Sequence, residues 1–450
     1  MDTIVAIATA PGRSAIGVIR LSGPESLRIL RTLINDESFN PPPKQILLKQ
    51  LVNASGNAVD TALVSFFAAP QSFTGEDMVE ISCHGSPVIL RRVLDQTQLQ
   101  GARIAEPGEF TLRACKNGKM NLSQAEAIRD LINAQTDAAA AQAARQLNGE
   151  LSAALSPAKE MLIQIIVRLE SALEFVEDDL PQYQIEDLRN ELLSVKGIVA
   201  DLASTFSTGR ALREGIKVAI IGLPNVGKSS LFNKLVGLNR AIVTEIAGTT
   251  RDSISESIVL RGVPVLLTDT AGIRDATDRI EEIGIERTQQ AMVDADLLLV
   301  VIDGTTGISA EDRAIIAQTR SGRDIIAINK SDLSDATDID DQLDGRLKVV
   351  HVSALTGAGL DALAAVILEP FGAFESEAVG LLVTDSRHYD LLRRTIESLD
   401  ESAAMLSQST SEELVLVGLH NALRFLGEIT GETTADEILG QIFSTFCIGK

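Results

Sequence analysis

Cysteine, histidine, long apolar runs and basic side chains are all scarce in this chain, and each shortage excludes something. Its three cysteines, Cys83, Cys115 and Cys447, show no paired spacing. They argue against a disulfide framework and for a reducing compartment, so a cytoplasmic location is expected. Four histidines form no HExxH motif and no Cys/His cluster, which excludes a structural or hydrolytic zinc site. No apolar run approaches the ~20 residues of a membrane span. Met1-Asp2-Thr3-Ile4 lacks the basic start of a signal peptide, so neither secretion nor membrane insertion is expected. Against 62 acidic side chains stand only 40 Lys and Arg, for a net charge of −22. Residues 1–118 hold 11 of each sign, so the whole imbalance falls on the remaining 332. Such an acidic surface repels a phosphate backbone, and any contact with nucleic acid must use a local patch or a partner.

What is present is a nucleotide site. A chain of 450 residues, 45% hydrophobic, has room for two or three domains. Gly222-Leu223-Pro224-Asn225-Val226-Gly227-Lys228-Ser229 reads GxxxxGK[ST] between a strand-like run, Val218–Ile221, and a helix-like run, Ser230–Leu235. Glycines let the backbone close on an anion, and N–H groups at a helix start point at phosphates. Asn225, Val226, Gly227, Lys228, Ser229 and Ser230 are therefore candidate phosphate contacts. Lys228 reaches the β/γ-phosphates and Ser229 ligates Mg²⁺. Downstream, Val265–Thr268 ends in Asp269-Thr270-Ala271-Gly272, placed for Mg²⁺ and γ-phosphate sensing. Ile325–Ile328 leads into Asn329-Lys330-Ser331-Asp332. The Asp332 carboxylate can accept from both the ring N–H and the exocyclic amine of guanine, a donor pair that adenine lacks. Val349–Val352 delivers Ser353-Ala354-Leu355, which resembles the loop that completes a guanine pocket. Four motifs in one order, each after an apolar strand, indicate a P-loop GTPase that binds GTP.

Two departures narrow the class. Ile273 follows DTAG, where small GTPases carry a water-positioning glutamine. A threonine-rich segment, Thr244-Glu245-Ile246-Ala247-Gly248-Thr249-Thr250, supplies Thr250 for Mg²⁺ and backbone carbonyls for another hard cation. A catalytic acid must then come from Arg274, Asp275, Asp278, Glu281, Glu282 or Glu286, among which spacing does not choose.

The flanks differ from this α/β segment. Residues 1–118 read as α+β: strand-like at Ile4–Ala8, Gly17–Leu21, Thr61–Ala68 and Met78–Ser82, and helical at Glu25–Leu33 and Pro87–Leu94, with Ser86 as N-cap. Residues 119–210 are helical, with an alanine-rich run at 138–144 and Ser156-Pro157 expected to cap a periodic helix through Leu162, Ile165, Ile166, Leu169 and Leu173. Helical periodicity returns over 374–450. The expected fold is multidomain: an α+β domain, then an all-α domain whose two parts, 119–210 and 374–450, are separated by an inserted α/β GTPase domain at 211–373. Phe446-Cys447-Ile448-Gly449-Lys450 has the outline of a prenylation box. Its glycine, terminal lysine and lack of a polybasic stretch argue against lipidation.

GxPNxGKSS, GTTRD, DTAGIR, NKSD and SAL between helical segments, with a terminal FCIGK, resemble the MnmE (TrmE) family of tRNA-modification GTPases. Ala10–Arg13, Phe73–Asp77, Glu106–Phe110 and Leu122–Ala127 extend the resemblance over the whole chain. It implies an N-terminal domain that binds 5-formyltetrahydrofolate or a related one-carbon folate through Arg20, Glu80, Lys119 and Lys450, and that forms a homodimer. It implies a heterotetramer with an MnmG-like protein, FAD entering only through that partner. Together they would add a carboxymethylaminomethyl or aminomethyl group at C5 of the wobble uridine of certain tRNAs. It also implies that K⁺, held by Asn225, Thr244, Ile246 and Thr249, replaces an arginine finger, that Glu281 orients water, and that Cys447 serves the modification. A regulatory or ribosome-assembly GTPase with docking flanks explains residues 222–355 equally well. It leaves the N-terminal motifs and the terminal thiol without a role.

Overall fold

The computed structural model describes residues 2–174, 182–239, 255–269, 290–333, 339, 343, 347–372, 380–407, 412–432 and 436–449. Two compact units result: one of Met1–Arg129, Leu147–Ser152 and Leu426–Lys450, the other of Asp130–Gln146 and Ala153–Phe425.

The first unit is built on β1 (Ile4–Ile7), β2 (Ile16–Ser22), α1 (Ser26–Leu33), β3 (Ile46–Val52), β4 (Ala58–Phe67), β5 (Met78–His84), α2 (Pro87–Leu99), β6 (Arg103–Ile104) and α3 (Glu109–Lys116). Its strands form one sheet in the order β3-β4-β5-β2-β1-β6. All pairs are antiparallel except β1 with β6. Alternation sorts the side chains. Ile19, Leu21, Val64, Val79 and Ile81 share a core with Leu30 of α1 and Val93 of α2. Ile4 and Ala6 of β1 pack with Phe110 of α3 on the other side. The remaining face of β2, β5, β4 and β3 carries the row Arg20, Glu80, Ser65 and Ile46 by register. Strand β3 was not apparent in the sequence, because its outward positions Ile46 and Leu48 are as apolar as its inward ones. The terminal helix Asp436–Ser444 also belongs here; Phe443 and Phe446 are buried with Leu122 and Ala125.

The second unit contains the nucleotide segment. From α8 (Phe206–Glu214) the chain enters β7 (Ile216–Ile221), then α9 (Lys228–Asn239), β8 (Ser255–Leu260), β9 (Val263–Asp269), β10 (Leu297–Asp303), β11 (Ile325–Asn329) and β12 (Lys348–His351). The sheet order is β12-β11-β10-β7-β9-β8, parallel except for β8. Ile325–Asn329 is buried throughout and β10 nearly so, as expected for parallel strands covered on both faces. Strand β7 is central, where crossovers leave in opposite directions. Ligands bind such sheets at that switch, beyond the carboxyl ends of the strands.

Helices before and after this segment close a ring. Helix α6 (Glu150–Glu174) meets α7 (Gln182–Ser204) through Arg168 and Glu191. Lys196 of α7 pairs with Asp400 of the helix Ser386–Ser407 at 2.6 Å. Ser402 of that helix lies where a Cβ on Gly418 would fall, in the helix Glu412–Thr430. His420 of the latter returns to Glu170 of α6 at 3.1 Å. Pro157 does not open a helix as expected; it sits inside α6, which begins at Glu150. An interior proline costs about 3 kcal/mol. The stripe Leu155, Leu162, Ile165, Ile166 and Leu169 is buried on both sides of it, at about 1.5–3 kcal/mol per side chain, and outweighs that cost.

Candidate functional site

The P-loop leaves β7 and turns directly into α9. Gly222 (φ 146°) and Gly227 (φ 98°) occupy backbone space that L side chains rarely adopt, and Asn225 (φ 63°) is left-handed, which asparagine tolerates better than most residues. A Cβ on Gly227 would overlap the amide of Asn329, so glycine is required there by contact as well as by torsion. Lys228 opens α9; its ammonium donates to the carbonyls of Gly222 at 3.0 Å and Leu223 at 2.7 Å, and the residue is buried. The cation is thus held inside the loop that must receive phosphate. Ser229 and Ser230 are exposed in the first helical turn, where N–H groups lack intrahelical partners. Asp269 ends β9 opposite Ile220 of β7 and is 2% exposed. A buried carboxylate beside the P-loop strand suits a hard cation such as Mg²⁺.

Asn329 ends β11 and ties three loops together. Its amide donates to the P-loop carbonyl of Val226 at 2.9 Å, and its side-chain oxygen accepts from the backbone of Ala354 at 3.0 Å. Lys330 (φ 65°) pairs with Asp303 at the end of β10. Burial pushes the Asp303 carboxyl up, but the Lys330 ammonium and the Thr305 hydroxyl and amide outweigh it and hold it below the usual carboxylate range. Ser353 donates its hydroxyl to Asp332 at 2.6 Å and accepts from the Thr356 amide, fixing the carboxylate of the NKxD motif. Leu355, two residues after Ser353, is exposed. The structure therefore brings together Asn225 to Ser230, Asp269, Asn329, Lys330, Asp332 and Ser353 to Leu355. Thr244, Glu245, Ile246, Ala247, Gly248, Thr249, Thr250, Thr270, Ala271, Gly272 and Glu281 lie outside the described residues. Asp303 was missed; its signal was the acidic end of the apolar run Leu297–Ile302.

A second constellation lies in the first unit. Register places Arg20 opposite Glu80, and the guanidinium donates to that carboxylate at 2.7 and 2.9 Å. Its Nη1 reaches the carbonyl of Gly449 at 3.4 Å, and its charge lies 5.7 Å from the Phe73 ring centre and 5.9 Å from that of Phe110. The Phe73–Gly75 loop links this pair to Lys119, whose methylenes would touch a Cβ on Gly75. The Lys119 ammonium donates to the Pro70 carbonyl at 3.0 Å, and Asn117 donates to that of Thr74 at 2.7 Å. Cys447 is exposed two residues before the Gly449 carbonyl that Arg20 meets, whereas Cys83 is buried. Lys450 lies outside the described residues. Phe73, Phe110 and Asn117 were not singled out from sequence, although Phe73 and Phe110 fall within the quoted motifs.

Comparison with known proteins covers the segments that carry both constellations. The profile of the MnmE helical domain matches residues 122–447, and that of the GTP-binding protein TrmE N-terminus matches residues 3–119. The tRNA modification GTPase MnmE of Laribacter hongkongensis (strain HLHK9) is 46% identical over 451 residues, covering all of this chain and 99% of that protein. That of Aquifex aeolicus (strain VF5) is 43% identical over 450 residues, with both chains covered completely. That of Koribacter versatilis (strain Ellin345) is 43% identical over 454 residues, covering all of this chain and 99% of the relative. With a P-loop of left-handed torsions and the Asn329–Ser353 network at the carboxyl ends of the same sheet, the chain is a GTP-hydrolysing enzyme and belongs to the MnmE family of tRNA modification GTPases.

Proposed function

We propose that this GTPase acts with an FAD-containing, MnmG-like partner to add a carboxymethylaminomethyl or aminomethyl group at C5 of the wobble uridine of certain tRNAs. The carbon comes from 5-formyltetrahydrofolate or a related one-carbon folate. The observation that carries this reading is the contact between the Arg20–Glu80 pair and the C-terminal tail that bears the exposed Cys447. Both charged side chains are partly exposed, at 20% and 27%, on the sheet face not covered by α1 and α2. Arginine has five donors, enough to keep Glu80 and still meet a ligand carboxylate, while Glu80 offers acceptors to pterin N–H groups. Lys119 and Lys450 complete that site, and Cys447 is its nucleophile.

The same face supports a homodimer. Ile46, which continues the Arg20–Glu80 row across the sheet, is 69% exposed, and Leu48 and Leu63 of the neighbouring row are 66% and 42% exposed. A contiguous apolar patch of that kind suits a second copy of the chain. In the nucleotide segment, Ser229 and Thr250 hold Mg²⁺, Asn225, Thr244, Ile246 and Thr249 hold K⁺, and Glu281 orients the attacking water. The domain assignment that follows is 1–118 for folate and dimerisation, 211–373 for GTP, and 119–210 with 374–450 as one helical domain. The reading takes the enzyme to be cytoplasmic; among the described residues no helix is long and apolar enough to cross a membrane. Calorimetric titration with 5-formyltetrahydrofolate tests it. The purified chain binds, and Arg20→Ala and Glu80→Ala each bind at least ~10-fold more weakly, about 1.4 kcal/mol. No binding by the wild type, or equal binding by both variants, contradicts the folate site.

A further inference from the structure

The tail that carries Cys447 is anchored on both sides of the thiol. Phe446 on one side is 6% exposed, and Gly449 on the other is buried; between them Cys447 and Ile448 stand in solvent. Phe446 packs 5.1 Å from the Phe443 ring, in an apolar cluster with Leu122 and Ala125. Arg129, near the end of the helix Leu122–Asn133, covers it: the guanidinium carbon lies 5.6 Å from the Phe446 ring centre. The same side chain donates to the Thr445 hydroxyl at 2.9 Å, and that hydroxyl donates to the Ile442 carbonyl at 2.7 Å. One arginine therefore holds two successive tail residues, by a ring face and by a hydrogen bond.

Gly108 closes the arrangement. Its amide donates to the Cys447 carbonyl at 3.4 Å, and a Cβ there would stand 2.7 Å from the Phe443 carbonyl oxygen and 3.0 Å from the Phe446 Cβ. With φ at 67° the position disfavours any other residue on torsion as well. On the far side, a Cβ on Gly449 would stand 2.8 Å from the Ile7 carbonyl oxygen of β1, and the Gly449 carbonyl meets Arg20. The segment 446–449 is thus held at both ends, against Gly108 at the start of α3 and against β1, at two glycines where no side chain fits.

We propose that Arg129 and Phe446, with Gly108 as the seat, are positioning residues for the modification reaction: they latch the tail so that the Cys447 thiol is held outward beside the Arg20–Glu80 pair. The proposal rests on the reading of Cys447 as the nucleophile. Two residues of extended chain span at most about 7 Å, so an anchored tail confines the sulfur to the neighbourhood of the Arg20 partner, while an unlatched tail sweeps a volume many times larger. Misplacement of a reacting group by about 1 Å can cost ~10²-fold in rate. The P-loop and the Asn329–Ser353 network lie in the other unit, so GTP turnover is the control that the latch is expected not to move.

The test uses the full chain with its FAD partner and substrate tRNA. It measures tRNA modification, GTP turnover and hydrogen exchange of the amides of 446–449 in Arg129→Ala, Phe446→Ala and the conservative Phe446→Leu. Both alanine variants are expected to lose modification by about 10- to 100-fold, to exchange the tail amides faster, and to hydrolyse GTP within roughly 2-fold of wild type. Phe446→Leu, which still fills the pocket, restores most of the modification and the slow exchange. Full modification by both alanine variants, or lost modification with unchanged tail exchange, overturns the latch. Cys447→Ser in the same assay separates this from the reading beneath it: full modification by that variant removes the nucleophile itself, whatever the latch variants do.

Discussion

Asp332 is exposed, yet its carboxylate is held by the Ser353 hydroxyl at 2.6 Å, which leaves its other oxygen and remaining lone pairs to a base edge. Guanine presents two adjacent N–H donors to it. Replacement by an amide turns one acceptor into a donor, which repels a guanine donor and suits the carbonyl of xanthine. Asp332→Asn is therefore expected to weaken GTP binding by about 2–3 kcal/mol, the scale of a hydrogen bond to a charged group, and to bind xanthosine triphosphate in preference to GTP. Competition binding with the two nucleotides measures this, and retained preference for GTP would contradict the assignment of Asp332. This residue was legible in the sequence because a strand-ending NKxD has few other uses. Its orienting partner Ser353 was legible only as part of a loop. Asp303, which neutralises Lys330, was not, because an aspartate after an apolar run is equally a turn residue.

At the level of elements, the start of β1 and the first turns of α3 are tied together by charge. Arg113 of α3 meets Asp2 at 2.7 Å, Glu109 at 3.0 Å and Glu76 at 3.1 Å, and Arg103 meets Asp2 and Glu109 at 2.7 and 2.6 Å. Ser22 of β2 donates to Glu76 as well. The cluster fixes the Phe73–Asp77 loop, whose Phe73 ring stands beside Arg20. Hydrogen bonds from Arg103 and then Arg113 hold the Asp2 carboxyl down to about 2, and the same two arginines keep Glu109 below the usual carboxylate range despite its burial. Both groups titrate lower in the folded chain than in the unfolded one. Their stabilisation is therefore complete above the ordinary carboxylate range near pH 4 and is lost as pH falls toward 2. Urea unfolding at pH 6, 4 and 3 should show a midpoint that drops steeply below pH 4. Arg113→Met should be less stable by roughly 3 kcal/mol at pH 6, as for a broken buried pair, with a flatter decline; an equal decline in both proteins would contradict the cluster's role. The sequence hides this cluster because Glu76 and Arg113 are far apart along the chain and each reads alone as a surface charge. The strands β7, β9, β11 and β12 were plain, since motif and apolar run coincide there. Pro157 misled, because a proline normally marks a first turn and only the burial on both sides of it reveals an interior position.

For the whole molecule, the absent glutamine after DTAG and Asn225 in left-handed backbone at the P-loop motivate a cation beside the β/γ-bridging oxygen as a source of positive charge there. K⁺ is proposed to supply it electrostatically. Removing one such stabilising contact typically costs ~10²–10³ in rate, so GTP turnover in K⁺ should exceed that in Na⁺, which is too small for the same cage, by at least an order of magnitude. Equal turnover in the two salts would contradict a K⁺ site. Acidity bears on the same scale. A chain carrying −22 overall does not gather tRNA by its general field. A tRNA contact is therefore expected at a local patch, for which the formally neutral first 118 residues, with Arg20, Glu80 and Lys119, are the candidate. GTP hydrolysis in one unit is proposed to serve wobble-uridine chemistry at the Arg20–Cys447 site in the other. Mass spectrometry of wobble nucleosides in tRNA from cells lacking this chain, re-supplied with wild type or Cys447→Ser, tests it most directly. Carboxymethylaminomethyl- and aminomethyl-type uridines are expected to vanish with the gene, return with wild type, and stay absent with Cys447→Ser although that variant hydrolyses GTP normally; unchanged wobble uridines in the deleted cells would overturn the proposed function.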